Sequence, residues 1–328
     1  MLTFLRLLLM IHMIAPLSYA ACPPSSINTV VAATVPWSTL NTFTVDSDAT
    51  RVFAYAVDGT LIMWNTETRK SSVILECLHS VQSLALGKDK KLLVVGSNDG
   101  TIEFISVDLP HYPRTSRKVK GSVDQILIAP NGDAMLTLQR NQLTLWNLHR
   151  RVAIWSKSAS EELVRVAFSP DGTLLAITTG DSILLMDVAT GRLTRRLDVQ
   201  GVDIFISDLA FTRNGGWLAA GVNNDLVIFD PITGIRLRTL SGHSDQVIAL
   251  TMLDDGKRAI SVGEDQTLRT WDLDAGVLLS TSRLPPGLVT HDGRFLINTT
   301  SRSGEIEVWD IPSQKRLQTL TYRSPLEK

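Results

Sequence analysis

Three residues within one stretch, SGHSDQVIALTMLDDGKRAISVGEDQTLRTWD (241–272), have the types that nucleophilic hydrolysis requires: His243, Ser261 and Asp265. A serine becomes a nucleophile when an imidazole takes its proton and a carboxylate orients that imidazole. The hydroxyl must also stand exposed, usually on a strained turn such as G-x-S-x-G. No such turn occurs, and Ser261 sits inside the apolar run Ala259–Val262. The sequence therefore assigns no catalytic residue. Metal chemistry finds no support either. The histidines at 12, 79, 111, 149, 243 and 291 show no ligand spacing, and no cysteine pair lies near them. P-loop, G-x-G-x-x-G and H-E-x-x-H patterns are all missing, so no cofactor is expected.

Cys22 and Cys77 are the only cysteines. In an exported chain two cysteines suggest one disulfide, with the alternative that Cys77 is half buried and Cys22 is free or lipidated. The most basic stretch, PHYPRTSRKVK (110–120), reads as a loop followed by a solvated edge strand. Its functional alternative is a contact patch for an acidic partner or an anionic membrane surface. The net charge of −1 offers no basic surplus, so no nucleic-acid partner is expected.

The elements around these residues are short and evenly spaced. The Trp271 position recurs as Trp64, Ile105, Trp146, Met186, Phe229, Trp271 and Trp309, at steps of 38 to 43 residues. A second ruler runs in phase with it: Asn131-Gly132, Asp171-Gly172, Asn214-Gly215, Asp255-Gly256 and Asp292-Gly293. Asn-Gly and Asp-Gly suit a tight hairpin because both residues of each pair tolerate positive φ. The second strands (VFAYAV, KLLVVG, TLLAIT, WLAAG) are unbroken apolar runs, as strands covered on both faces should be. The fourth strands (SSVILECL, RLTRRLDV, IRLRTLSG, RLQTLTYR) are more polar, as exposed edges should be. The count is seven repeats.

With Gly242-His243 opening a repeat and Trp271-Asp272 closing its third strand, the chain resembles the WD40 family over roughly residues 38–322. The resemblance implies an all-β, seven-bladed β-propeller with four antiparallel strands per blade. It also implies that His243, Ser261, Asp265 and Trp271 form a buried hydrogen-bonded chain that is structural rather than catalytic. Other repeats depart from the signature, with Ile105-Ser106, Trp146-Asn147, Met186-Asp187 and Phe229-Asp230 at the dipeptide.

Residues 1–20 read as a signal peptide, 21–37 as an N-terminal arm with a clasp strand, 38–322 as the propeller and 323–328 as a tail. Export to the periplasm or exterior follows, with anchoring through the N-terminal segment or a lipidated Cys22 as the alternative. The clasp hypothesis lets Asn28–Val35 join the last blade (287–322), with Arg316–Tyr322 competing for the outer slot.

The resemblance further implies a monomeric, non-catalytic scaffold that binds another protein. Its expected contact face carries Asp58, Asp99, Arg140, Asp181, Asn224 and Arg302, plus the lead-in loops 158–162, 200–204 and 284–287. Arg140 and Ser303 stand where repeats three and seven would otherwise carry a turn Asp. The rivals are an exported enzyme or small-ligand sensor with a site at the channel mouth, and a structural envelope-assembly propeller, which typically has eight blades.

Overall fold

The computed structural model describes residues 40–321 apart from 47–49, 57–58, 77, 79, 110, 200–203 and 300–304. Among them are twenty-eight strands and no helix. They form seven four-stranded sheets, each hydrogen-bonded in chain order, so every blade is an antiparallel meander. The first blade uses Leu40–Val45, Arg51–Ala56, Leu61–Asn65 and Lys70–Leu75. The sixth uses Val247–Met252, Arg258–Gly263, Leu268–Asp272 and Val277–Ser282.

Burial explains the strand compositions. The second strands are buried almost throughout, because each lies between two neighbouring blades. Outer strands such as Arg192–Asp198 and Lys315–Thr321 are mostly exposed. The core is seven apolar clusters, one at each interface between neighbouring blades. One of them closes the ring: Ile62 and Trp64 of the first blade pack with Ile297, Ile306, Val308 and Leu320 of the last. Gln318 Nε2 adds a hydrogen bond of 2.8 Å to the Thr66 carbonyl across the same seam.

The outer slot of the last blade is filled by Lys315–Thr321, close to the competing segment Arg316–Tyr322. Asn28–Val35 lies outside the described residues.

The turns differ from the expected hairpins in one respect. Only the glycine of each Asn-Gly or Asp-Gly pair is left-handed, with φ between 68° and 80°. The Asn or Asp keeps negative φ and acts through its side chain. Asn131 and Asp255, for example, accept from the backbone N–H two residues on, at 3.1 and 2.9 Å. The turns between third and outer strands follow similar logic. Asp187, Asp230 and Asp272 accept backbone N–H groups three residues on, and a left-handed Gly191, Gly234 or Gly276 ends each turn. The first, third and last blades instead force Arg69, Arg151 and Gln314 into that conformation.

Candidate functional site

The geometry of His243, Ser261, Asp265 and Trp271 is a continuous chain of hydrogen bonds. Trp271 and Ser261 lie opposite each other's neighbourhood on the third and second strands of the sixth blade, and Trp271 Nε1 donates to Ser261 Oγ at 2.8 Å. Ser261 Oγ is 2.7 Å from His243 Nε2, and His243 Nδ1 is 3.0 Å from both Asp265 oxygens. The donors fix the directions. An indole can only donate, so Ser261 accepts from it and its own O–H donates to Nε2; Nδ1–H then donates to the carboxylate. A neutral imidazole fits this chain.

Burial pushes the His243 pKa down, and this outweighs the upward pull of Asp265. Burial raises the Asp265 pKa, but hydrogen bonds from Thr267, the Ser244 N–H and His243 outweigh it and hold the carboxyl at about 2. Ser261 is 0% exposed and its oxygen already holds the Trp271 N–H. A substrate carbonyl has no path to it, so these three side chains do not make a hydrolytic triad.

The other blades show what the indole demands. In the third, Trp146 Nε1 donates to Thr137 Oγ1 at 3.0 Å, with no histidine behind it. In the last, Trp309 Nε1 turns to Glu307 Oε2 at 3.0 Å, and Arg316 pairs with the other oxygen at 2.6 Å. Where the third strand carries Ile105, Met186 or Phe229, the Ser261 position holds Val95, Ile177 or Ala220. The first blade breaks the rule: Ala54 stands at that position, and the buried Trp64 N–H has no acceptor among the described residues.

Four of the six expected rim residues lie at the turns between second and third strands of successive blades, on one face of the ring, here called the upper face. Asp58 and Arg302 lie outside the described residues, as do Cys22, Cys77 and Ser303. Asp99 braces its own turn through the Thr101 N–H at 2.9 Å and pairs with Lys118 at 2.6 Å. Asp181 lies 3.4 Å from Arg196, which also pairs with Glu161 at 3.1 Å. Asn224 follows the left-handed Asn223, whose Oδ1 accepts the Phe205 N–H of the lead-in loop.

Arg140 is itself left-handed, and its N–H donates to Asp124 Oδ2 at 2.7 Å. The brace that a turn Asp supplies in the sixth blade comes here from the lead-in segment. The basic stretch after Pro110 is largely spoken for within the propeller: Arg114 pairs with Glu103, and Arg117 donates to the Arg151 carbonyl.

Two hollows were not anticipated from the sequence. One, of about 830 Å³, lies beside the sixth blade's turn, between Asp265–Arg269 and the linker to the last blade. Arg269 and Arg283 line it with the hydroxyls of Ser244, Thr267 and Thr281, against Leu284, Pro285 and Pro286. Arg269 is held by Thr267 Oγ1 at 3.3 Å, whereas Arg283 is exposed and pairs with no carboxylate among the described residues.

The second, of about 400 Å³, brings together Asp124, Arg140, Glu162 and Arg165 near the inner strands of the second to fourth blades. Beyond it, Asp208 Oδ2 accepts the Leu250 N–H at 2.9 Å and ties the fifth blade's inner strand to the sixth's. Burial raises the Asp208 pKa to about 6, against those backbone hydrogen bonds and Arg165. Ser83 makes the matching tie to the Ile126 N–H between the second and third blades. Aligning the inner strands would have singled out Arg165 and Asp208, since both stand four residues before the turn that begins at Ser169 or Thr212.

Comparison with known proteins agrees with this architecture. The family described as "WD domain, G-beta repeat" matches residues 73–106 and 234–272, the second stretch holding the Trp271 network. A WD repeat-containing protein of Synechocystis is 35% identical over 117 residues, covering 34% of this chain and 32% of its own length. The serine-threonine kinase receptor-associated protein of Gallus gallus is 22% identical over 71% of this chain and 66% of its own. COMPASS component SWD3 of Saccharomyces cerevisiae is 29% identical over 47% and 50%. The chain thus spans between about a third and two thirds of the length of these relatives. Two stretches similar to the repeats of that family are thus set in a closed ring of seven four-stranded blades, and the chain is a seven-bladed β-propeller.

Proposed function

We propose that this propeller is an exported, non-catalytic scaffold whose upper face docks another protein, with the groove between the sixth and last blades as the main contact. The observation that carries the reading is the groove's lining. Arg283, which pairs with no carboxylate among the described residues, and a braced Arg269 flank an apolar shelf of Leu284, Pro285 and Pro286. Guanidinium groups beside an apolar wall suit an extended, acidic segment of a partner chain, and arginine is enriched among residues that dominate interface energetics. The hydroxyl, imidazole and carboxylate best placed for chemistry are occupied in holding Trp271, which supports a binding role. Two relatives, a receptor-associated protein and a component of a complex, fit the same role. Export rests on the N-terminal pattern, with residues 1–20 as the signal and membrane contact confined to an anchor or lipid there.

The rival, a small-ligand site at the channel mouth, draws on the smaller hollow with Asp124, Arg140, Glu162 and Arg165. The two separate on one experiment. Partner capture from the native envelope is compared among Arg283→Glu, Arg140→Glu and Lys257→Glu, the last in a turn on the lower face. Docking at the groove predicts loss of capture with Arg283→Glu and retention with Lys257→Glu. Capture that survives Arg283→Glu but fails with Lys257→Glu overturns the face assignment.

A further inference from the structure

The outer strand of a blade leaves one row of backbone N–H and C=O groups without a partner, and proteins guard such edges with charge. Six of the seven outer strands here do so, through Lys70, Arg117, Lys157, Arg195, Arg238 and Arg316 among others. The sixth blade's outer strand, Val277–Ser282, reads VLLSTS and carries no charge at all. Its Val277, Leu278 and Leu279 are 48%, 41% and 50% exposed.

A second guard is missing at the same place. In the third, fourth, fifth and last blades a long side chain just past the bulge of the outer strand reaches under the turn of the following blade. In the first and second, where the strand offers only Ser72 and Thr115, Tyr112 and Arg151 of the following blade reach back to them. Trp155 Nε1 donates to the Val188 carbonyl, Arg195 to that of Ile232 and Gln318 to that of Thr66, while Arg238 lies against Gly276. The corresponding residue of the sixth blade is Ser280, which is too short to reach. The neighbouring edge of the fifth blade adds exposed Ile235 and Leu237 to the same flank.

We propose that Val277–Ser282 is a self-association edge: a second copy of this chain adds its own Val277–Ser282 antiparallel, joining two four-stranded blades into one eight-stranded sheet about a two-fold axis. Charge decides the occupant. An uncharged edge offers nothing to attract a charged partner strand, and two copies meet without repulsion or buried charge. In the fourth blade the same operation would set Arg195 and Arg196 against their own counterparts. A register centred on Leu279 sets leucine against leucine across the axis. A six-residue edge buries less than a standard interface, so the dimer should be weak, with a Kd on the order of 10 µM. The edge lies on the circumference, so the inference stands apart from docking on the upper face.

Sedimentation of the purified chain from 1 to 100 µM (about a tenth to ten times that Kd) tests it. The expected result is a concentration-dependent shift from monomer to dimer. Leu279→Lys and Val277→Glu, both at exposed positions, should remain monomeric throughout with unchanged melting. Leu237→Lys, on the fifth blade's edge, should still dimerise. A monomeric parent chain at the highest concentration overturns the proposal, as does undiminished dimerisation of Leu279→Lys. A monomer that binds a synthetic VLLSTS peptide at this edge overturns the dimer as well, assigning the edge to a foreign strand.

Discussion

A buried indole N–H needs an acceptor, and the seven blades of this chain solve that requirement in different ways. Ser261→Ala would strand both the Trp271 N–H and His243 Nε2, and His243→Ala would leave the Ser261 O–H without its acceptor and take one donor from the Asp265 carboxylate. Each substitution should cost about 1–3 kcal/mol in chemical denaturation, and the pair should cost less than the sum. Trp64 provides the contrast, because its N–H lacks an acceptor among the described residues. Trp64→Phe should therefore cost about 1 kcal/mol less than Trp271→Phe, since only the latter removes a hydrogen bond.

The network also sets a pH dependence. His243 titrates below its ordinary 6.5 in the folded chain, so the unfolded chain binds the proton more readily and stability falls as pH drops below 6.5. Asp265, at about 2 against 3.8 unfolded, adds about 2 kcal/mol that is present above pH 3.8 and lost as pH falls through 2. Unfolding of the parent and of His243→Ala from pH 8 to 3 should show the first slope flattened in the variant.

At the scale of single turns, the chain uses two ways of ending the hairpin between third and outer strands. Gly276 has φ of 72°, and since an added Cβ would meet only the movable guanidinium of Arg238, at 2.7 Å, it is the left-handed backbone that demands glycine. Gln314 occupies the same turn position in the last blade with φ of 54°, a conformation that an L-residue adopts at a cost of about 1 kcal/mol. Gln314→Gly should raise stability by about 0.5–1 kcal/mol, whereas Gly276→Ala should lower it by more; thermal melts of both distinguish strain from simple chain flexibility. Arg151 is left-handed too, but it lies over the Phe104 ring and bonds to Thr115, contacts that offset its strain. The Arg151→Gly variant should accordingly gain nothing.

Across the whole molecule, closure of the ring rests on packing between the first and last blades rather than on a strand shared between the two ends of the described chain. Each blade is complete in itself, and the seam cluster around Trp64, Ile297 and Ile306 resembles the six other interfaces in its apolar make-up. Ile306 is fully buried there. Ile306→Ala should cost about 2–5 kcal/mol and leave unfolding a single transition, as at any other interface. A separate early transition would mark the seam as a weak point.

Much of this architecture was legible in the sequence because it is local. The Trp271 spacing and the Asn-Gly and Asp-Gly turns set the number of blades, and unbroken apolar second strands announced burial on both faces. Those signals depend on the next few residues along the chain, where hairpin geometry and strand period act. The side-chain role of Asn131 or Asp255 in its turn was hidden in the same motif, since the pair of letters does not say which residue turns left-handed. Tertiary structure decided what depends on a neighbouring blade. Arg269 and Arg283 become the two sides of one groove, Asp208 meets the Leu250 N–H, and Ser280 leaves bare an edge that Arg195 and Arg238 cover elsewhere. Such juxtapositions follow from how twisted sheets stack around a closed ring, and no period along the chain encodes them.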